Sequence, residues 1–161
     1  MATVPEQGQR LALHTSRWLN GGPCTAEALR GRVVVLYAFQ MLCPACVHHA
    51  TPQMQRLHAL LRDEPRVALI GLHSVFEHHA VMTPEALAVY LQENRLGFPL
   101  AVDEPDPGGG PVPRTMQALG LRGTPSLLLV DAEGRIRAHH FGAVDDLALG
   151  LELGALLAAA G

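Results

Sequence analysis

Residues 33–39, Val-Val-Val-Leu-Tyr-Ala-Phe, form an apolar run without alternation and rich in β-branched side chains. Such a run marks a strand covered on both faces, which calls for a sheet sandwiched between helices. The chain then turns at once into Gln40-Met41-Leu42-Cys43-Pro44-Ala45-Cys46. From Val47 the apolar positions 47, 50, 54, 57 and 61 trace a helical stripe. Two cysteines at C-x-x-C spacing therefore sit where a buried strand gives way to a helix. Pro52 falls inside the stripe and is expected to kink that helix.

The remaining pattern fills out a mixed α/β sheet. Thr25 to Gly31 reads as a short helix, with Thr25 as N-cap and Gly31 just past its end. A second buried strand follows Pro65. A helix starts at Thr83-Pro84 and is expected to close at Gly97. Residues 98–103 form a third strand, expected at a sheet edge or as an insertion. Pro105–Pro113 is a flexible loop, and a short helix follows over 114–120. A hairpin then turns at Ala132-Glu133-Gly134, and a closing helix is capped by Asp145. The expected order is β-α-β-α-β-α-β-β-α, a central mixed sheet with helices on both faces.

A chain of 161 residues fits a single domain, residues 1–161, with 1–14 expected as a flexible N-terminus. The net charge of −3 and the scattered arginines predict no binding of nucleic acid or of anionic lipid. No apolar run approaches the ~20 residues of a spanning helix. Met1–Arg10 has no apolar core of a signal peptide, so a cytoplasmic location is expected. There a disulfide is more often transient and catalytic than structural. Three cysteines are also too few for a disulfide framework.

At the mouth of a helix, unpaired N–H groups and the positive dipole end favour thiolate over thiol. For Cys43 this implies a pKa below ~8.5, in a range of roughly 3.5 to 7.5. Cys46 lies one turn on, placed to attack a mixed disulfide formed at Cys43. Pro44 suits the first helical position because its missing N–H would have no partner there. The pair reads as a thiol–disulfide couple, Cys43 attacking and Cys46 resolving. The competing readings are inert buried cysteines or half of a zinc site, which would need two further ligands. The paired histidines 48/49, 78/79 and 139/140 are read as solvated, with no metal and no cofactor expected. Cys24 would lie ~25 Å from Cys43, a strand length away, and is read as a spectator.

The segment Val33–Cys46, the later Arg122-Gly123-Thr124-Pro125 strand entry, and the order of elements between them resemble the thioredoxin superfamily. The inserted strand–helix of residues 67–103 is similar to the TlpA/ResA-type thiol–disulfide oxidoreductases and the neighbouring redoxins. The resemblance spans about residues 15–158 and implies a three-layer thioredoxin-like fold with that insertion after the C-x-x-C helix. It implies that Pro125 is a cis-proline facing the cysteines, that the backbone of Thr124 pairs with a substrate chain, and that Pro44 and Ala45 border the substrate. It also implies that Glu77, at the end of the second strand, lies beside the pair as a base, with His73 and His78 as rivals. Implied partners are protein or small-molecule thiols and disulfides and an upstream thiol reductant. Tyr37 stands where thioredoxins keep a buried Asp, and Leu42 where they keep Trp. Pro52 lies six residues after Cys46, where the family's helix proline lies five after, so the kink is expected one residue late. The alternatives are a peroxiredoxin-like thiol peroxidase, although no hydroxyl sits three residues before Cys43, and a non-enzymatic redox-sensing or metal-binding module on the same scaffold.

Overall fold

The structure is a computed structural model that describes residues 8–161. Its elements are β1 (Thr15–Leu19), α1 (Ala26–Leu29), β2 (Val33–Phe39), α2 (Thr51–Leu60), β3 (Val67–His73), α3 (Pro84–Glu93), β4 (Leu100–Asp103), α4 (Arg114–Ala118), β5 (Ser126–Val130), β6 (Ile136–Phe141) and α5 (Asp146–Ala160). The six strands lie in the order β1-β4-β3-β2-β5-β6. Strands β2, β3 and β4 are parallel; β1, β5 and β6 join antiparallel. This is the expected three-layer mixed sheet.

All seven residues of β2 are buried, and alternation divides them between two cores. Val33, Val35, Tyr37 and Phe39 pack with Met54 of α2, Leu87 and Leu91 of α3, and Leu149 and Leu153 of α5. Val34, Leu36 and Ala38 point the other way, to Leu29 of α1 and Met116 of α4. Each large side chain so covered contributes about 1.5–3 kcal/mol of burial. Both faces of the strand are filled, which is why its sequence shows no alternation.

The expected caps form. Thr25 accepts the N–H of Ala28, Thr83 that of Ala86, and Asp145 those of Leu147 and Ala148. Two details differ from the sequence expectation. The strand at residues 98–103 is not an edge: β4 lies between β3 and β1, and β1 forms the edge. Helix α3 ends at Asn94 rather than running to Gly97. Arg95 takes the left-handed turn (φ 53°), and Leu96 N–H returns to Leu91 O at 3.0 Å. That bond and the Arg95 N–H to Gln92 O make a Schellman closure, sealed by Leu91 against Leu96. Gly97 is then free to pack beneath His58.

The kink expected at Pro52 is a π turn over Cys46–Ala50, where Thr51 N–H bonds Cys46 O five residues back. A π turn holds one residue more than an α turn, and it absorbs the extra residue between Cys46 and Pro52. Pro52 brings no N–H to the ladder that follows.

Of the N-terminal stretch 1–14, residues 1–7, which make up most of Met1–Arg10, lie outside the described residues. Residues 8–11 run beside the start of β6: Gly8 N–H bonds Ile136 O, and Leu11 N–H bonds Gly134 O. The 105–113 loop wraps Asp106, whose carboxylate accepts the N–H groups of Gly108 and Gly110. Among the described residues no helix is long and apolar enough to cross a membrane.

Candidate active site

Strand β2 ends at Phe39, and three residues carry the chain from its end to Cys43. Gln40, Met41 and Leu42 turn the backbone so that Cys43 N–H meets Gln40 O at 3.0 Å. Pro44 and Ala45, both exposed, open the helix. Cys43 thus occupies the position of an N-cap, and its sulfur accepts the N–H of Cys46 at 3.4 Å. A serine or aspartate oxygen usually takes that bond; here a thiol does.

The two cysteines differ in environment. Cys43 is half-buried, whereas Cys46 is 1% exposed and packed in the core that holds Tyr37 and Met54. Burial pushes the Cys46 thiol up to about 12, and the neighbouring Cys43 thiol, within direct hydrogen-bonding reach, adds to the shift. Hydrogen bonds from the Gln40 backbone and the Thr124 hydroxyl oppose it. Cys43 Sγ donates to Thr124 O at 3.5 Å. The Thr124–Pro125 bond is cis, and Pro125 leads into β5, the antiparallel neighbour of β2. Thr124 and Pro125 therefore meet the cysteine turn from the adjacent strand.

Tyr37 is buried beneath the pair, stacked on Phe39 at 5.0 Å, and its hydroxyl is 2.8 Å from Thr51 Oγ1. Burial, followed by the proximity of Cys46, raises its pKa far above the ordinary phenol value. It supplies a hydrogen-bonded floor and no base.

His73 and Glu77 stand apart in role. His73 is 1% exposed at the end of β3, and its Nε2 accepts the N–H of Met41 at 3.0 Å. The lone pair that would take a proton is already engaged, and burial pushes the pKa down to about 4. His73 holds the turn in place. Glu77 is exposed, and its carboxylate accepts from Gln40 Nε2 at 3.4 Å. Gln40, itself 1% exposed, also receives Phe76 N–H on its side-chain oxygen at 3.1 Å. One buried amide thus ties the cysteine turn to the Glu77 loop.

The role of Gln40 was not foreseen from sequence, although a lone polar residue closing an apolar strand was the available signal. The apolar rim was missed too. Leu42 beside Cys43, Val47 in the following turn, and Phe141 against Gly123 are all exposed. The Arg122 guanidinium lies 5.3 Å above the Phe141 ring.

The histidine pairs disperse. His49 meets Val144 O, His79 meets Pro111 O, and His140 Nε2 lies 2.6 Å from Glu152. His139, on the opposite face of β6, keeps a buried Nε2 with no partner among the described residues. No three His, Cys, Asp or Glu side chains among the described residues converge as a metal site. Cys24 lies half-buried before α1, at the far end of the sheet from Cys43.

No protein-family model and no curated protein matches the chain. Solved structures do. A thiol–disulfide isomerase from Corynebacterium glutamicum is 53% identical, with a TM-score of 0.89 over 93% of this chain and 96% of that one. A thioredoxin-like superfamily protein is 48% identical, with a TM-score of 0.87 over 94% and 96%. A thioredoxin-like protein solved in its oxidised form, 20% identical, shares the fold with a TM-score of 0.75 over 94% and 95%.

Proposed function

Since the chain belongs to the thioredoxin-like superfamily of thiol–disulfide oxidoreductases, we propose that it exchanges disulfides with protein or small-molecule substrates by cycling Cys43 and Cys46 between dithiol and disulfide. The Cys43 thiolate attacks one sulfur of a substrate disulfide, and the other substrate sulfur leaves as a thiol. Cys46, losing its proton, then attacks Cys43 Sγ and expels the second substrate thiol. The substrate gains two electrons and the protein keeps a Cys43–Cys46 disulfide, which an upstream thiol reductant reopens. The observation that carries this order is the unequal exposure of the two sulfurs: a partner reaches Cys43 but not Cys46.

Substrate binding falls to the groups around Cys43. Exposed Pro44 and Ala45 leave one side open, and the backbone of Thr124, followed by Pro125, offers the other. The Leu42, Val47 and Phe141 rim gives an extended peptide apolar contact there. A redox titration tests the assignment. One two-electron transition is expected, moving about 30 mV per tenfold change in the dithiol ratio, with Cys24 still reactive toward a thiol reagent. Separate one-thiol oxidations would sink it.

Glu77 takes the proton released from Cys46 in this reading. Support comes from Gln40, whose side-chain amide donates to the Glu77 carboxylate and whose backbone, close to Cys46, favours its thiolate. The carboxylate is exposed, so the last transfer runs through solvent. Glu77→Gln is expected to slow the resolving step by about tenfold and to shift its pH–rate profile, with thermal stability almost unchanged. A profile superimposable on that of the parent protein removes Glu77 from the mechanism.

A further inference from the structure

A second site lies at the other end of the sheet. Where β2 begins, the segment before β1, the start of α1 and the β5–β6 hairpin enclose a cavity of about 400 Å³. Its floor is Leu29 and Val34, both buried, and its walls are Leu11, Leu13, Trp18 and Cys24, each half-exposed into it. Seven strand residues at ~3.3 Å each separate it from the cysteine turn by more than about 20 Å. Neither Cys43 nor Cys46 touches it.

The aromatic wall is built rather than accidental. Trp18 Nε1 donates to Thr15 Oγ1 at 3.1 Å, which fixes the indole. Behind it the backbone closes at Gly22, where φ is +87° and an added Cβ would lie 2.6 Å from the ring. Only glycine allows that approach. Cys24 completes the wall; burial raises its pKa, with Arg32 opposing, so it lines the cavity as a thiol.

The mouth carries charge of one sign in excess. Arg10 and Arg30 lie on the rim with Glu133. Arg10 donates one guanidinium N–H to the Glu133 carbonyl at 3.1 Å, which positions its remaining donors. Arg30 is exposed and makes no ion pair among the described residues. Two guanidiniums against one carboxylate leave a net positive rim over an apolar interior.

We propose that this cavity binds a small amphiphilic monoanion, with an aryl or medium-chain alkyl body against Trp18 and Leu13 and its carboxylate or sulfonate at Arg10 and Arg30. The volume suits a body of roughly 9–17 heavy atoms. The fork of donors on arginine matches a carboxylate better than a point charge would.

Trp18 is the only tryptophan of the chain and stands in the cavity wall, so a ligand seated there changes its fluorescence. Titration with 8-anilinonaphthalene-1-sulfonate should give saturable, one-to-one quenching of Trp18, and decanoate should displace the dye. Arg30→Glu, at an exposed position, should weaken dye binding by about fivefold or more, and added salt should weaken it in the parent protein. The second measurement uses the Cys43→Ser/Cys46→Ser protein, in which Cys24 is the sole thiol: decanoate should slow its alkylation by N-ethylmaleimide severalfold. Dye that binds without quenching Trp18, affinity unmoved by Arg30→Glu, or alkylation indifferent to decanoate would each overturn the proposal.

Discussion

Cys43→Ser is expected to abolish disulfide exchange, with a loss on the order of a thousandfold or more, because a serine hydroxyl at neutral pH is a far weaker nucleophile than a thiolate. Cys46→Ser is expected to behave in the opposite sense. It keeps the accessible sulfur and loses only the one that resolves, so mixed disulfides with substrate should accumulate and persist. The asymmetry follows from where the sulfurs lie. Cys43 caps the helix at the rim, whereas Cys46 is 1% exposed and its thiol is pushed up to about 12. Mass spectrometry of adducts formed with a model disulfide distinguishes the two variants. If Cys43→Ser traps adducts and Cys46→Ser is inert, the roles are reversed.

Acidification from pH 7 to pH 4 is expected to cost about 3 kcal/mol of folding stability through His73. Its pKa is pushed from the ordinary 6.5 to about 4 by burial, so the folded protein keeps it neutral while the unfolded chain takes up a proton. Across this window the unfolded state binds more protons, and stability must fall as pH falls. Half-buried His139, also shifted down, adds in the same direction. Glu64, Asp131 and Asp146 are held below the ordinary carboxylate range, so their contribution begins to fade near about pH 5 and is lost mainly below it. Denaturant titrations at several pH values measure the slope, and His73→Gln should flatten it. A slope unchanged in that variant would place the acid sensitivity elsewhere. The same proton would break the Met41 N–H to His73 bond, so the cysteine turn should loosen before the domain unfolds.

What the sequence made legible was what is local. The buried run of β2, the three helix caps, the hairpin turn and the spacing of the cysteines are each set by a few adjacent residues. β1 was not legible. Thr15-Ser-Arg-Trp-Leu carries only a weak pattern, and its reason to be a strand is β4, more than eighty positions away. The end of α3 was hidden because an arginine, not a glycine, takes the left-handed position. In the site, His73 looked like a base because sequence cannot show that its lone pair already serves Met41, 32 residues earlier. Gln40 was overlooked for the same reason: its partners Phe76 and Glu77 become neighbours only when β2 and β3 pair.

The strand order has one further consequence. β2, which delivers both sulfurs, is hydrogen-bonded on both sides, while β1 and β6 form the margins of the sheet. Peripheral strands open at small free-energy cost, whereas an internal strand opens only with the whole molecule. In native-state hydrogen exchange the β2 amides should therefore be the last to acquire deuterium, well after those of β1. The cysteine pair is anchored to the most slowly breathing part of the protein, so fraying at the margins, whether from heat or from a docking partner, leaves the spacing of its two sulfurs undisturbed.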